Sequence, residues 1–409
     1  MADLIPESKV SQEESASGLC WSMEFQKQVH VSEEPTLSIA ADQTQVRILA
    51  APNGVTQRMT KNVAAWIPKA KALLEVKEAP DWKVEKGEVL VEVHSVSVQP
   101  VDWKIQDYDF FVKEYPFILG TDVAGTVVEV ADGVTNVKKG DRVLAHCSGL
   151  GTGQAKHSGF QKYSVVSALL TSPIPDSVSF DEATVLPLAL STAAAGLYQR
   201  DHLDLPLPKA DATKAEGKVV LVYGGSSSVG SAAIQLAVAS DVAVVTTCSP
   251  ANFDLVKSLG AAAAIDYRAD SLVDDAVRAI EAAGSEFAGV YDAISEKGTV
   301  EKSAEIASKA FGGKGKLHVA TTLPPPEKVA DGVKAAGVFA LDILFKEDAR
   351  IAKAVYLDFV PKALQNGSLK PKPDPLVVGK GLEKVEEGLN VQKKGVSAKK
   401  VVVSDIASA

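Results

Sequence analysis

The sequence predicts an α/β protein in two parts: an antiparallel, barrel-like domain of short strands, and a doubly wound parallel sheet flanked by helices. Three observations carry this. "EVLVEVHSVSV" alternates apolar and polar residues like a half-buried strand, and "VAGTVVEVADGVTNVKKGDRVLA" adds two short strands separated by glycine-containing turns. Downstream, "KVVLVYGG", "VAVVTTCS", "AAAAIDY", "AGVYDAI" and "KLHVATT" are continuous apolar runs between helical segments, the pattern of strands buried on both faces. The first of those runs ends in a glycine-rich turn from which a helix opens.

Along the chain, residues 1–57 read as a mobile acidic tail: "SQEESAS" is polar, periodicity is weak, and Pro52-Asn53-Gly54 marks a turn. "QVRILA" is the one stretch there with strand character. Residues 58–188 hold the short strands. Residues 189–348 hold the parallel sheet, with "GVFALDILF" as its expected sixth strand. "EDARIAKAVYLDFVPKALQNGSL" predicts a helix ending near Gly367, and residues 349–409 close with strand, helix and strand that return to the first domain.

Composition narrows the function. The 409 residues carry 46% hydrophobic and 23% charged side chains, enough to bury a sizeable core. A net charge of -9 excludes a general nucleic-acid binder, and no apolar run approaches the ~20 residues of a membrane span. Cys20, Cys147 and Cys248 are too few and scattered for a disulfide framework. The acidic amino end lacks a positive leader and an apolar core, so a reducing, cytoplasmic setting is expected.

"KVVLVYGGSSSVGSAAIQLAVA" is the strongest local signal. The strand runs into Gly224 and Gly225 and the helix opens at Gly230, so backbone N–H groups of Gly225, Ser226, Ser227, Ser228, Val229 and Gly230 are placed for a pyrophosphate. Ser227 occupies the middle position of G-x-G-x-x-G. The next strand decides between cofactors. An NAD enzyme places an acid at its end to hold the ribose 2′-hydroxyl. No acid stands between Val245 and Asn252. Instead Ser249 reads as an N-cap, Pro250 as the first helical residue and Gly260 as the helix terminator. Ser249, Pro250, Ala251 and Asn252 are expected to receive a 2′-phosphate, with Arg268 adding charge, and the cofactor is expected to be NADPH.

These features resemble the medium-chain dehydrogenase/reductase superfamily, in its zinc-free, quinone-reductase-like branch, and there the fungal group that includes trans-acting enoyl reductases of polyketide assembly. The resemblance runs from Asn62 to Ser404 through blocks such as "VQPVDWK", "PFILGTDVAGTVVEV", "GFQKYSVV", "LPLALSTAAAGLY", "SPANFDLVKSLGA" and "PLVVGKGLEKVEEGL". It implies a GroES-like β-barrel catalytic domain built from both chain ends, with a Rossmann domain inserted between them. It also implies cofactor contacts at Val101, Asp102, Trp103 and Lys104, at Ser226 to Val229, at Ser249 to Asn252, at Tyr267, and at Val377 and Val378. Gln99 departs from the Asn that many relatives place before the proline.

In zinc-dependent relatives the ligands are a Cys near Val101 and Asp102, the His and Glu of a Gly-His-Glu turn, and a later Cys. Here the first segment has no Cys and the turn reads Gly120, Thr121 and Asp122. Asp122 is expected to hold the turn, and His146, Cys147 and His157 match no metal spacing, so no metal is expected. Without a Lewis acid the acceptor must delocalise charge itself, as an enone or quinone does. By family position, Lys104 places the cofactor or donates to the developing charge. Tyr108 and Tyr163 line the cleft or serve as structural tyrosines. A polyketide synthase partner and a non-catalytic NADPH-binding relative are the alternatives.

Overall fold

The computed structural model describes residues 61–212, 217–283, 286–296, 298–311 and 317–408. The acidic segment 1–57 and "QVRILA" lie outside the described residues. Residues from Asn62 to Ala409 form one compact unit.

The first part supplies β1 (Val63–Ile67), β2 (Glu75–Glu78), β3 (Glu88–Ser97), β4 (Phe117–Ile118), β5 (Asp122–Val130), β6 (Arg142–His146), β7 (Tyr163–Ser167) and β8 (Thr171–Pro173). The cofactor-domain strands are β9 (Lys218–Tyr223), β10 (Ala243–Cys248), β11 (Ala263–Asp266), β12 (Glu286–Asp292), β13 (Leu317–Thr321) and β14 (Val333–Gly337), followed by β15 (Asp374–Lys380) and β16 (Lys399–Ser404). Among the described residues, β2, β1 and β4 form a small antiparallel sheet. A larger sheet runs β15-β16-β3-β5-β6-β8, with β7 also on β3. The chain's last strand therefore lies antiparallel to β3, pairing Val402 with Ser97.

The parallel sheet runs β11-β10-β9-β12-β13-β14. Its order reverses beside β9, and ligands bind outside the carboxyl ends of strands at such a switch point. The glycine turn follows β9 directly. The two sheets share one apolar core: Ala124 and Leu144 of the antiparallel sheet join Val220 and Val222 of the parallel one through helix Pro187–Tyr198. Gly196 permits that contact, since a Cβ there would lie 2.4 Å from Tyr291. Among the described residues no helix is long and apolar enough to cross a membrane.

One expectation is corrected. The sixth strand is Val333–Gly337, in parallel register with β13, whereas "GVFALDILF" turns into a short helix at Asp342–Phe345. Leu341, Asp342 and Ile343 are all buried there, and a strand would have sent neighbours to opposite faces. The helix before Gly367 contains a π-helical segment, Lys353–Phe359, just ahead of Pro361. Proline lacks the N–H that a regular ladder needs.

Candidate active site

The glycine turn is a cradle that only glycines allow. Gly224 has φ +82°, and a Cβ on it would meet Ile294 at 2.4 Å. A Cβ on Gly225 would meet Thr246 Oγ1 at 2.1 Å, and one on Gly230 would meet the Gly224 carbonyl oxygen at 2.2 Å. Ser227 replaces the middle glycine without strain because its φ is -71°, and its Oγ accepts from the Gly230 N–H at 3.0 Å. It therefore caps helix Ser228–Ala239. Ser228 and Val229 are the first two helical residues, whose N–H groups find no partner within a helix. They point out of the helix end, as an anionic ligand requires.

The end of β10 is less regular than the sequence implied. Residues Pro250–Asn252 form a 3₁₀ turn ahead of a short α-helix, Phe253–Ser258. Ser249 has N-cap backbone angles but caps no N–H; its Oγ accepts from Asn252 Nδ2 at 3.2 Å. Among the described residues the Ala251 N–H and the second Asn252 amide hydrogen have no acceptor. Sequence reasoning missed Asp266, which stands opposite Cys248 in the β10–β11 register. Arg268 neutralises it: the Arg268 N–H and Nε donate to Asp266 Oδ1 at 3.1 and 3.2 Å. Asp266 is held below the usual carboxylate range, first by the backbone hydrogen bond and then by the guanidinium. The guanidinium lies 5.4 Å over the exposed Tyr267 ring.

Helix Pro100–Tyr108 carries the other expected contacts. Asp102 is fully buried, accepting from Gln99 N at 2.8 Å and Gly120 N at 3.2 Å. Burial, opposed by those two bonds, pushes its carboxyl up to about 7. The Trp103 indole donates to Gln392 at 2.5 Å, and Val101 packs on the barrel core. Lys104 is the exception. It is half-buried and makes no salt bridge with a described residue; its Nζ sits 5.7 Å over Trp103. Burial holds its ammonium below the usual lysine range, and Glu296, beyond β12, partly offsets that.

Asp122 accepts four hydrogen bonds through its two oxygens. Oδ1 accepts from Leu188 N at 2.5 Å, and Oδ2 accepts from Ser97 Oγ at 3.0 Å, Thr121 Oγ1 at 3.1 Å and Gln99 Nε2 at 2.5 Å. The longer Gln99 makes the last bond. Asp122 thus ties the turn to the starts of two helices, the second being the interdomain helix. His146 and His157 do not converge. His146 Nδ1 lies 2.8 Å from Ser191 Oγ, and His157 Nε2 lies 2.7 Å from Glu88 Oε1. Among the described residues no three His, Cys, Asp or Glu side chains are grouped to hold a metal.

Between the barrel and the parallel sheet lies an aromatic rim that sequence reasoning also missed. Phe111 and Phe339 stack at 6.3 Å between centroids. The turn Gly149–Thr152 meets segment 341–345, where a Cβ on Gly151 would lie 2.5 Å from Leu341 and 2.8 Å from Phe345. The signal available was the adjacent pair Phe110-Phe111 in the polar run "QDYDFFVKEY". Tyr108 is exposed beside Trp103, whereas Tyr163 donates to Glu92 at 3.0 Å within a separate apolar cluster. Val377 is exposed, and a bulge after it offsets Val378 from the β15–β16 ladder.

Residues 85–176 match the alcohol dehydrogenase GroES-like domain. The trans-enoyl reductase himH of Aspergillus japonicus is 43% identical over 347 residues, covering 84% of this chain and 97% of himH. The chain belongs to the medium-chain dehydrogenase/reductase superfamily. Its members' fold is shared by the CurK enoyl reductase, with TM-score 0.62, 18% identity and coverage of 85% and 100% of the two chains. A mycobacterial protein, Rv1454c, solved with NADPH, shares it with TM-score 0.59, 22% identity and coverage of 84% and 99%.

Proposed function

We propose that the protein is an NADPH-dependent enoyl reductase that works without zinc on the C=C bond of an α,β-unsaturated acyl group, presented in trans by a polyketide synthase. The observation that carries this is the contrast at the turn: Asp122, at the metal-ligand position of zinc-dependent relatives, spends both oxygens on four hydrogen bonds, while Lys104 stays uncommitted. The 43% identity to himH supports the acyl substrate and the synthase partner. An acidic chain with three cysteines fits a reducing compartment, the cytosol.

The fit to NADPH rests on this chain's own groups. Gly224, Gly225 and Gly230 leave the volume that a pyrophosphate needs, and Ser228 and Val229 offer N–H donors. At the adenosine end no carboxylate ends β10, and Asp266 is neutralised by Arg268. When bound, NADPH supplies hydride. Lys104 contributes positive charge toward the carbonyl oxygen or the cofactor amide, and burial strengthens that interaction. Phe111, Phe339 and Phe345 exclude water from an apolar acyl chain. Tyr163 donates to Glu92, and solvent is the proton source in this reading.

A panel of enones, α,β-unsaturated thioesters and quinones tests this, with NADPH and NADH compared after dialysis against a chelator. The proposal expects thioester or enone turnover with NADPH that survives chelation. Activity that vanishes with the chelator and returns with zinc overturns the metal-free mechanism. Turnover of quinones alone would favour quinone reduction.

A further inference from the structure

His146 ends β6 and is almost fully buried, with Nδ1 2.8 Å from Ser191 Oγ. Ser191 Oγ lies 2.7 Å from the Tyr356 hydroxyl, and that hydroxyl donates to the Pro187 carbonyl at 2.7 Å. Proton counting fixes the direction of this chain. A carbonyl only accepts, so Tyr356 spends its single proton on Pro187. The short Ser191–Tyr356 contact then requires the Ser191 hydroxyl to donate to Tyr356. Ser191 has no proton left, so His146 must donate from Nδ1–H. In a neutral imidazole one nitrogen donates and the other accepts, which leaves Nε2 as a bare lone pair. Nε2 has no hydrogen-bond partner among the described residues, in a ring that is only 1% exposed.

The surroundings place His146 beside the Gly120–Asp122 turn. His146 is the strand partner of Asp122, and Cys147 N donates to Thr121 O at 2.8 Å, so His146 flanks the turn. From the other side Asp102 ties the Lys104 helix to Gly120 of the same turn. Beyond His146 the chain enters the Gly149–Thr152 turn that meets Leu341 and Phe345. Burial holds the imidazole well below its usual range, at about 4, which keeps the ring neutral.

We propose that His146 is a tautomer-locked hydrogen-bond acceptor of the cleft, its Nε2 lone pair reserved for an O–H or N–H donor on the bound cofactor or acyl acceptor. Donors of this kind are the carboxamide and ribose hydroxyls of the cofactor and the hydroxyl or amide groups of a carrier-bound acyl chain. The inference rests on the enoyl reductase reading only in its second source. The lock is a property of the protein alone.

Nitrogen-15 NMR of histidine-labelled protein at pH 7 tests the lock, with the His146 signal assigned by its loss in His146→Leu. The expected spectrum has a protonated Nδ1 and a bare, pyridine-type Nε2. Tyr356→Phe removes the acceptor of Ser191, so its hydroxyl turns to Nδ1 and the ring proton moves to Nε2. A wild-type ring protonated at Nε2, or a tautomer unmoved by Tyr356→Phe, overturns the proposal. Should His146→Leu not fold, His146→Gln supplies the assignment. Binding tests the ligand, using NADPH fluorescence titration and the KM for an unsaturated thioester. Loss of the acceptor should weaken one of them roughly tenfold in His146→Leu, because a buried donor is left unpaired. His146→Gln, which keeps an acceptor near Nε2, should recover part of that. A changed NADPH Kd identifies the cofactor as donor; a changed KM alone identifies the acceptor. If both stay at wild-type values in a folded variant, the proposal fails. The NMR and NADPH arms need no turnover, so they stand apart from the enzyme assignment.

Discussion

Replacing Gly230 with alanine places a methyl carbon 2.2 Å from the Gly224 carbonyl oxygen and 2.8 Å from Gly225 Cα. Both neighbours are backbone, so no side chain can rotate aside. Restoring ordinary contact requires the turn to move by about 1 Å, and overpacking of this kind costs about 1–3 kcal/mol. The alanine recovers a fraction of that through helix propensity, at most about 1 kcal/mol. The larger consequence is functional, because the displaced residues carry the N–H donors of Ser228 and Val229. Losing even one charge-assisted bond costs about 1.5–3 kcal/mol, which corresponds to at least roughly a tenfold rise in the NADPH Kd. Fluorescence titration alongside thermal unfolding separates the two effects. A folded Gly230→Ala variant that binds NADPH as tightly as wild type would refute the assignment of this turn as the cofactor cradle.

Asp122→Ala should destabilise the fold by about 3–5 kcal/mol in denaturant unfolding, since it strands buried donors at Ser97, Gln99 and Leu188; a loss under about 1 kcal/mol would contradict the clamp. Cys248→Asp adds a second acid beside Asp266, so the ratio of NADH to NADPH dissociation constants should fall toward or below one, against an NADPH preference in wild type. Lys104→Met should lower kcat/KM by on the order of tenfold to a hundredfold in steady-state assays while leaving the melting temperature near wild type, because the ammonium makes no salt bridge with a described residue. His146 has a folded-state pKa depressed to about 4 by burial, so the unfolded chain binds more protons between pH 4 and about 6.5. Its contribution is present above about pH 6.5 and is lost as pH falls toward 4, by at most about 3 kcal/mol; His146→Gln should flatten that part of the stability–pH curve.

The fold was legible where a pattern has one physical meaning. Continuous apolar runs gave β9 to β13, and alternation gave β3. The sixth strand was misplaced because "VKAAG" is weakly apolar and "VFALDILF" strongly so, yet strand register with β13 decided the pairing. The π segment was invisible in periodicity because Pro361 disturbs the ladder upstream of itself. In the site, the glycine positions could be read directly, since they depend on residue type. What could not be read depends on which partner a side chain takes: Gln99 reaching Asp122, Arg268 spent on its near neighbour Asp266, and Glu296 beside Lys104. The helix start at Ser249 shows the same limit. Its residue types suit a cap, but Asn252 takes the serine oxygen first.

The most direct test follows the hydride itself. The protein is incubated with NADPH deuterated at nicotinamide C4 and an α,β-unsaturated thioester, and the product is analysed by NMR. The proposed mechanism requires deuterium at the carbon β to the carbonyl, with a solvent-derived proton at the α position. Deuterium on a carbonyl-derived alcohol carbon, or no transfer to any enone or thioester by a protein that binds NADPH, would contradict it.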